Sequence, residues 1–130
     1  MADLDYAFLA DYAQIEGDKL SVIGGSFTHV SVDSTDGLFI LSVAGRVRMS
    51  VGEQAAHLEV RLRGGDGAFE VGSSQELAVG PTAKPYGDDK VGILFVSGIA
   101  VPALLGLYEV FLTLNGVQVR RLAFDIALNS

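Results

Sequence analysis

The chain contains no cysteine and no tryptophan, and its 130 residues include only three prolines and two histidines. Without cysteine, a disulfide scaffold, a thiolate zinc site and a cysteine nucleophile are all excluded. Long hydrophobic runs are also lacking. Gly92–Val101 and Val101–Leu107 are interrupted by Gly, Ser or Pro and fall well short of the ~20 apolar residues a membrane-crossing helix needs, so no membrane partner is expected. Positive charge is scarce, with 9 Lys+Arg against 16 Asp+Glu and a net charge of -7. That balance disfavours nucleic acid and anionic lipid, whose binding rests on Lys and Arg at phosphates, unless a local basic patch overrides it. The opening Met1-Ala2-Asp3-Leu4-Asp5 has no basic segment followed by an apolar run, so no secretory signal is read there and a cytoplasmic location is expected.

What is present is apolar. Hydrophobic residues make up 49% of the chain and charged residues 19%, with a mean hydropathy of +0.39, which excludes intrinsic disorder. The length fits one domain over residues 1–130. Sixteen glycines punctuate short segments whose apolar residues recur every second position, the period of a half-buried strand. Leu4–Ala13 and Lys19–Gly24 flank a turn at Glu16-Gly17-Asp18, and Thr28, Val30 and Val32 mark a third strand. In Leu38–Val51, Phe39, Leu41, Val43, Val47, Met49 and Val51 share one parity, while Arg46 and Arg48 share the other. Ala56–Arg63 alternates Leu58, Val60 and Leu62 with His57, Glu59, Arg61 and Arg63. The two segments are expected to pair across Gly52–Ala55, setting Arg48 opposite Glu59 and Arg46 opposite Arg61.

Gly64-Gly65-Asp66-Gly67 is a hairpin turn by composition, leading into a strand at Ala68–Val71. Gly72–Lys90 reads as the least regular part, with a short strand near Glu76–Val79 and a loop carrying Pro81, Pro85, Tyr86, Asp88 and Asp89. Val91–Val101 is apolar on one side and carries Leu94 and Val96 on the other, which suggests burial on both faces or an interface. Asn115-Gly116 is the most favoured type I′ turn and joins Leu107–Leu114 to Val117–Leu128. Leu122, Phe124 and Ile126 have the wrong parity to join Tyr108, Val110 and Leu112, so a one-residue bulge is expected at Arg120-Arg121. Eight to ten strands and no helix make an all-β, two-sheet antiparallel β-sandwich the simplest architecture.

Two motifs carry a resemblance. Gly106-Leu107-Tyr108, entering an alternating strand and the Asn115-Gly116 turn, resembles the next-to-last strand of immunoglobulin-like sandwiches, which implies a tyrosine bonded back across the strand corner. The opening Phe8-Leu9-Ala10-Asp11-Tyr12-Ala13, with Lys19-Leu20-Ser21-Val22-Ile23-Gly24-Gly25, is similar to a set of small bacterial proteins of unknown function. They share a FLADYA…GKL.V.GG.F beginning and the Gly-x-Tyr ending. Asp18 before Lys19, and Ser26 where a third Gly is common, depart from that pattern. The resemblance implies a fold and a bacterial cytoplasmic origin, and no activity.

No constellation for bond-making stands out, and no enzyme activity, cofactor or metal is expected. His29 and His57 sit at outward parities in different strands, where surface histidine is the simpler reading. Ser26, Ser73 and Ser97 lie in no Gly-x-Ser-x-Gly elbow. Asp88 and Asp89 could gather with Asp33 and Asp36 around Ca²⁺, against which stands the plainer reading as solvated turn carboxylates. The uneven feature is arginine: Arg46, Arg48, Arg61 and Arg63 would share one outer face with Glu59 as the single acidic neighbour. Such a face docks an anionic surface, or is neutralised by Asp or Glu from a neighbouring strand. In the first strand, Tyr6 and Phe8 are expected in the core, and an edge apolar on both faces is what a subunit contact looks like. The leading expectation is an interaction or assembly module whose partner is another protein or a second copy. The rival is a small-ligand or carbohydrate binder that uses Pro81–Lys90 with Tyr86 as a stacking platform.

Overall fold

A computed structural model describes residues 2–81 and 83–129. Among them are nine strands and no helix: β1 (Asp3–Glu16), β2 (Lys19–Gly25), β3 (His29–Val32), β4 (Leu38–Ser50), β5 (Ala55–Gly64), β6 (Phe69–Ala78), β7 (Lys90–Pro102), β8 (Gly106–Leu114) and β9 (Val117–Leu128). They form a four-stranded sheet in the order β2-β1-β4-β7 and a five-stranded sheet in the order β3-β9-β8-β5-β6. Every pairing is antiparallel except the parallel one between β3 and β9. Taking β1, β4 and β7 as strands A, B and E, and β9, β8, β5 and β6 as G, F, C and C′, the order is that of an immunoglobulin-like sandwich.

The inward parities build one core. Leu41, Val43, Val47 and Met49 of β4 meet Leu58, Val60 and Leu62 of β5, Phe95 of β7 and Tyr108 of β8, all essentially without solvent contact. Gly45 shares that inward parity because a side chain would not fit: a Cβ there would lie 2.2 Å from the Tyr6 carbonyl oxygen and 2.8 Å from the Phe95 ring. Tyr108 closes the β7–β8 corner, its hydroxyl donating to the Pro102 carbonyl at 2.7 Å and accepting from the Leu104 N–H at 3.0 Å. Burial of that phenol pushes its pKa above the ordinary value.

Several expectations are corrected. β4 and β5 do not pair. The chain crosses at Val51–Gln54 from one sheet to the other, where β4 lies between β1 and β7 and β5 lies between β8 and β6. Arg46 therefore faces Tyr6 and Leu94, and Arg48 faces Asp3 and Gly92. Of the segment Gly72–Lys90 read as irregular, Gly72–Ala78 belongs to one continuous strand, because all ten residues of β6 pair with β5. The β9 bulge falls at Val119, between the pairs Leu112–Arg120 and Thr113–Gln118, slightly before the expected site. It performs the expected correction, setting Phe124 opposite Tyr108 on the core side. A register shift between Leu4 and Tyr6 turns Tyr6 and Phe8 outward and gives the inner positions to Leu4, Ala7 and Leu9.

β1 serves two partners. Its first half runs beside β4 as far as the pair Ala10–Ser42, and its second half pairs with β2. The tip of that hairpin does not continue outward. Ile15 and Asp18 line a cleft whose opposite wall is Val91–Leu94, the part of β7 that pairs with Arg46–Met49. The hairpin thus folds back over the outer face of the four-stranded sheet, where Ala13 and Leu20 join Phe8, Ala10, Ala44 and Val96 in a second apolar cluster.

Candidate interaction surfaces

The arginines form no common face. Arg46 and Arg48 lie on the outer face of one sheet, and Arg61 and Arg63 on the outer face of the other, with the core between them. Each pair meets carboxylates from an adjacent strand. Arg46 donates to Asp5 through Nε at 2.8 Å, and its guanidinium lies between the rings of Tyr6 and Tyr86, 5.1 and 5.3 Å from their centroids. Arg48 donates to Asp3 through Nε at 2.9 Å and Nη2 at 3.3 Å. Hydrogen bonding to those carboxylates raises the pKa of both guanidiniums. Across the sandwich, Glu70 of β6 stands 3.4 Å from Arg61 and 3.9 Å from Arg63, which also lies over the Phe111 ring. Arg121 donates to Glu109 at 2.7 Å. The neighbouring-strand alternative is the one observed, so these arginines offer no naked patch to an anion.

Tyr86 is not a free platform. One face of its ring is taken by Arg46, and its backbone N–H donates to the Lys90 carbonyl at 2.8 Å, closing a tight turn. Asp36 and the Asp88-Asp89 pair lie at opposite ends of the β4–β7 ladder, which runs from Leu38–Pro102 to Ser50–Lys90. They cannot share a cation. Among the described residues no three His, Asp or Glu side chains are grouped to hold a metal.

His29 and His57 sit on β3 and β5, with β9 and β8 between them. His57 lies between two carboxylates, Nδ1 on Glu76 and Nε2 3.7 Å from Glu59, and the bond to Glu76 raises its pKa. Glu76 as its neighbour was hidden from the sequence because it depends on the β5–β6 register. Ser73 and Ser97 hydrogen-bond each other at 2.8 Å across the two sheets, which leaves neither beside a histidine.

The unsatisfied surface lies at β7. It is an edge strand, its thirteen residues pair with β4 with no register shift, and among the described residues its other edge meets only the Tyr86–Lys90 bridge and no further strand. Charge is absent from Val91 to Pro102. Beside it on the outer face, Leu38 is 71% and Ile40 66% exposed, opposite the exposed Pro102 and Ala100. Along Val91–Leu94 the strand lines the cleft of about 470 Å³, together with Ile15, Asp18, Ala83 and Lys84. The apolar second side of β7, Leu94 and Val96, was the sequence signal for this surface. No known protein family matches the chain, and no curated protein does.

Proposed function

We propose that the chain is a non-enzymatic interaction or assembly module that engages another protein chain through the free edge of β7 and the apolar strip of Leu38, Ile40, Ala100 and Pro102. The observation that carries this reading is β7 itself: a long edge strand, paired with β4 without a register shift and uncharged from Val91 to Pro102. Monomeric sandwiches blunt such edges with charge, proline or bulges, because unpaired N–H and C=O groups recruit another strand. None of those devices interrupts Val91–Val101. The arginine faces and the Tyr86 loop lose their claim, since their polar and aromatic groups are engaged within the chain. The setting we propose is a bacterial cytoplasm, on the resemblance of the opening and closing motifs. A photo-crosslinking residue placed at Leu38 or Ile40, with Ser74 on the far sheet as control, tests the reading in cells. Discrete adducts are expected from the first two positions and none from Ser74. No adduct at Leu38 or Ile40, or equal adducts at all three, would overturn it.

A further inference from the structure

Resting on that reading, we infer that the occupant of the β7 edge is a second copy of the same chain. Its β7 runs antiparallel to this one about a two-fold axis normal to the sheet, so that two four-stranded sheets become one of eight strands.

Among the described residues four strands end the two sheets, and three of them are unsuited. β3 has four residues, β2 has seven with Gly24 at φ 62° near its end, and β6 carries Glu70 and Glu76. Two bodies of charge -7 repel wherever acidic surface meets acidic surface. Along β7 no residue from Val91 to Pro102 is charged, and the two charged residues lining the adjoining cleft, Asp18 and Lys84, are of opposite sign. In the immunoglobulin order a further strand, D, covers the strand that β7 represents; here, among the described residues, no strand lies between β6 and β7 in the chain, and beyond the Tyr86–Lys90 bridge no strand pairs with the outer edge of β7 from Val91 onward.

Side chains select the register. In a symmetric antiparallel pair, facing residues must lie on the same side of the sheet. Centring the axis on Val96 sets Leu94 opposite Gly98, large against small, and Gly92 opposite Ala100, both small, on the outer face. On the inner face it matches Ile93 with Ile99 and Val91 with Val101. The partner segment that must enter the cleft beneath Ile15 is then the slender one, with Gly98 and Ala100 outward. No atom lies within 4 Å of a Cβ built on Gly98, so that position is open to receive Leu94.

Size sets the strength. From Val91 to Val101 the edge runs about 37 Å, and with sheets ~10 Å apart it offers roughly 370 Å² per copy. That is about half of the ~800 Å² per partner of a stable interface. The dimer is therefore reversible and dilutes away.

The test uses the full chain, which has no cysteine of its own. Sedimentation across concentrations should show a monomer–dimer equilibrium. Gly98→Lys, which fits the folded monomer, should weaken it at least tenfold with no loss of melting temperature. Val96→Cys, its Cα about 5 Å from its own copy in this register, should form an interchain disulfide on mild oxidation, whereas Ala100→Cys, displaced roughly 27 Å along the strand, should not. A monomer at all concentrations overturns self-pairing. So does a dimer that tolerates Gly98→Lys, or one that oxidises equally at both cysteines. Crosslinks from Ile40 to a different protein would then leave the interaction reading standing, whereas no crosslink to any chain would remove both.

Discussion

At Arg46 three weak attractions converge on one guanidinium: the Asp5 carboxylate and the rings of Tyr6 and Tyr86. A half-exposed ion pair contributes about 0.2–1 kcal/mol and each exposed cation–π contact about 0.5–1 kcal/mol. Arg46→Ala is therefore expected to destabilise the fold by about 1–2 kcal/mol and to release the Tyr86 turn from the sheet. Arg61, whose carboxylate contact with Glu70 is 3.4 Å long and exposed, should tolerate Ala within about 0.5 kcal/mol. Urea unfolding midpoints of the two variants check the difference, and equal losses would contradict the convergence argued for Arg46. That these arginines stand outward was legible from alternation. Their partners were not, because Asp5 lies 41 residues from Arg46 and Asp3 lies 45 from Arg48, and strand order alone brings them together.

The same distinction governs the elements. Period-two patterning reports which face a residue takes, and it located β4, β5, β7, β8 and the Asn115-Gly116 turn, where Asn115 at φ 50° and Gly116 at φ 84° hold the type I′ geometry. It does not report which strand lies alongside. A four-residue connection such as Val51–Gln54 serves a hairpin or a crossing between sheets equally well, so alternation alone does not separate a β4–β5 pairing from the crossing observed. Bulges are similarly half-visible: the parity conflict in β9 demanded one, whereas nothing in the residues of β1 announced the shift that turned Tyr6 and Phe8 out of the core. At Gly45 the β1 backbone and the Phe95 ring of β7 both close on β4. Gly45→Ala should force Tyr6 and Phe95 aside and lower stability by about 1–3 kcal/mol, the cost of overpacking. Gly98→Ala, with open space above it, should be neutral or gain a few tenths of a kcal/mol from reduced backbone entropy in the unfolded chain. Calorimetric melting of both variants measures the contrast, and matched melting temperatures would refute the close-approach account.

For the whole molecule, net charge and edge chemistry pull in opposite directions. A chain at -7 with its arginines matched to carboxylates repels its own kind at long range, while an uncharged strand edge attracts at contact. Salt separates the two. The Debye length falls from ~30 Å at 0.01 M to ~8 Å at 0.15 M and ~3 Å at 1 M, which removes the repulsion between bodies and leaves the backbone ladder and apolar contact untouched. Self-association through β7 is therefore expected to tighten several-fold as NaCl rises from 20 mM to 500 mM, read by sedimentation equilibrium at fixed protein concentration. An assembly held by Arg46, Arg48, Arg61 or Arg63 against acidic surface would weaken over the same range, since its attraction is the quantity being screened. The sign of the salt effect thus decides between the edge and the arginines without any substitution in the chain.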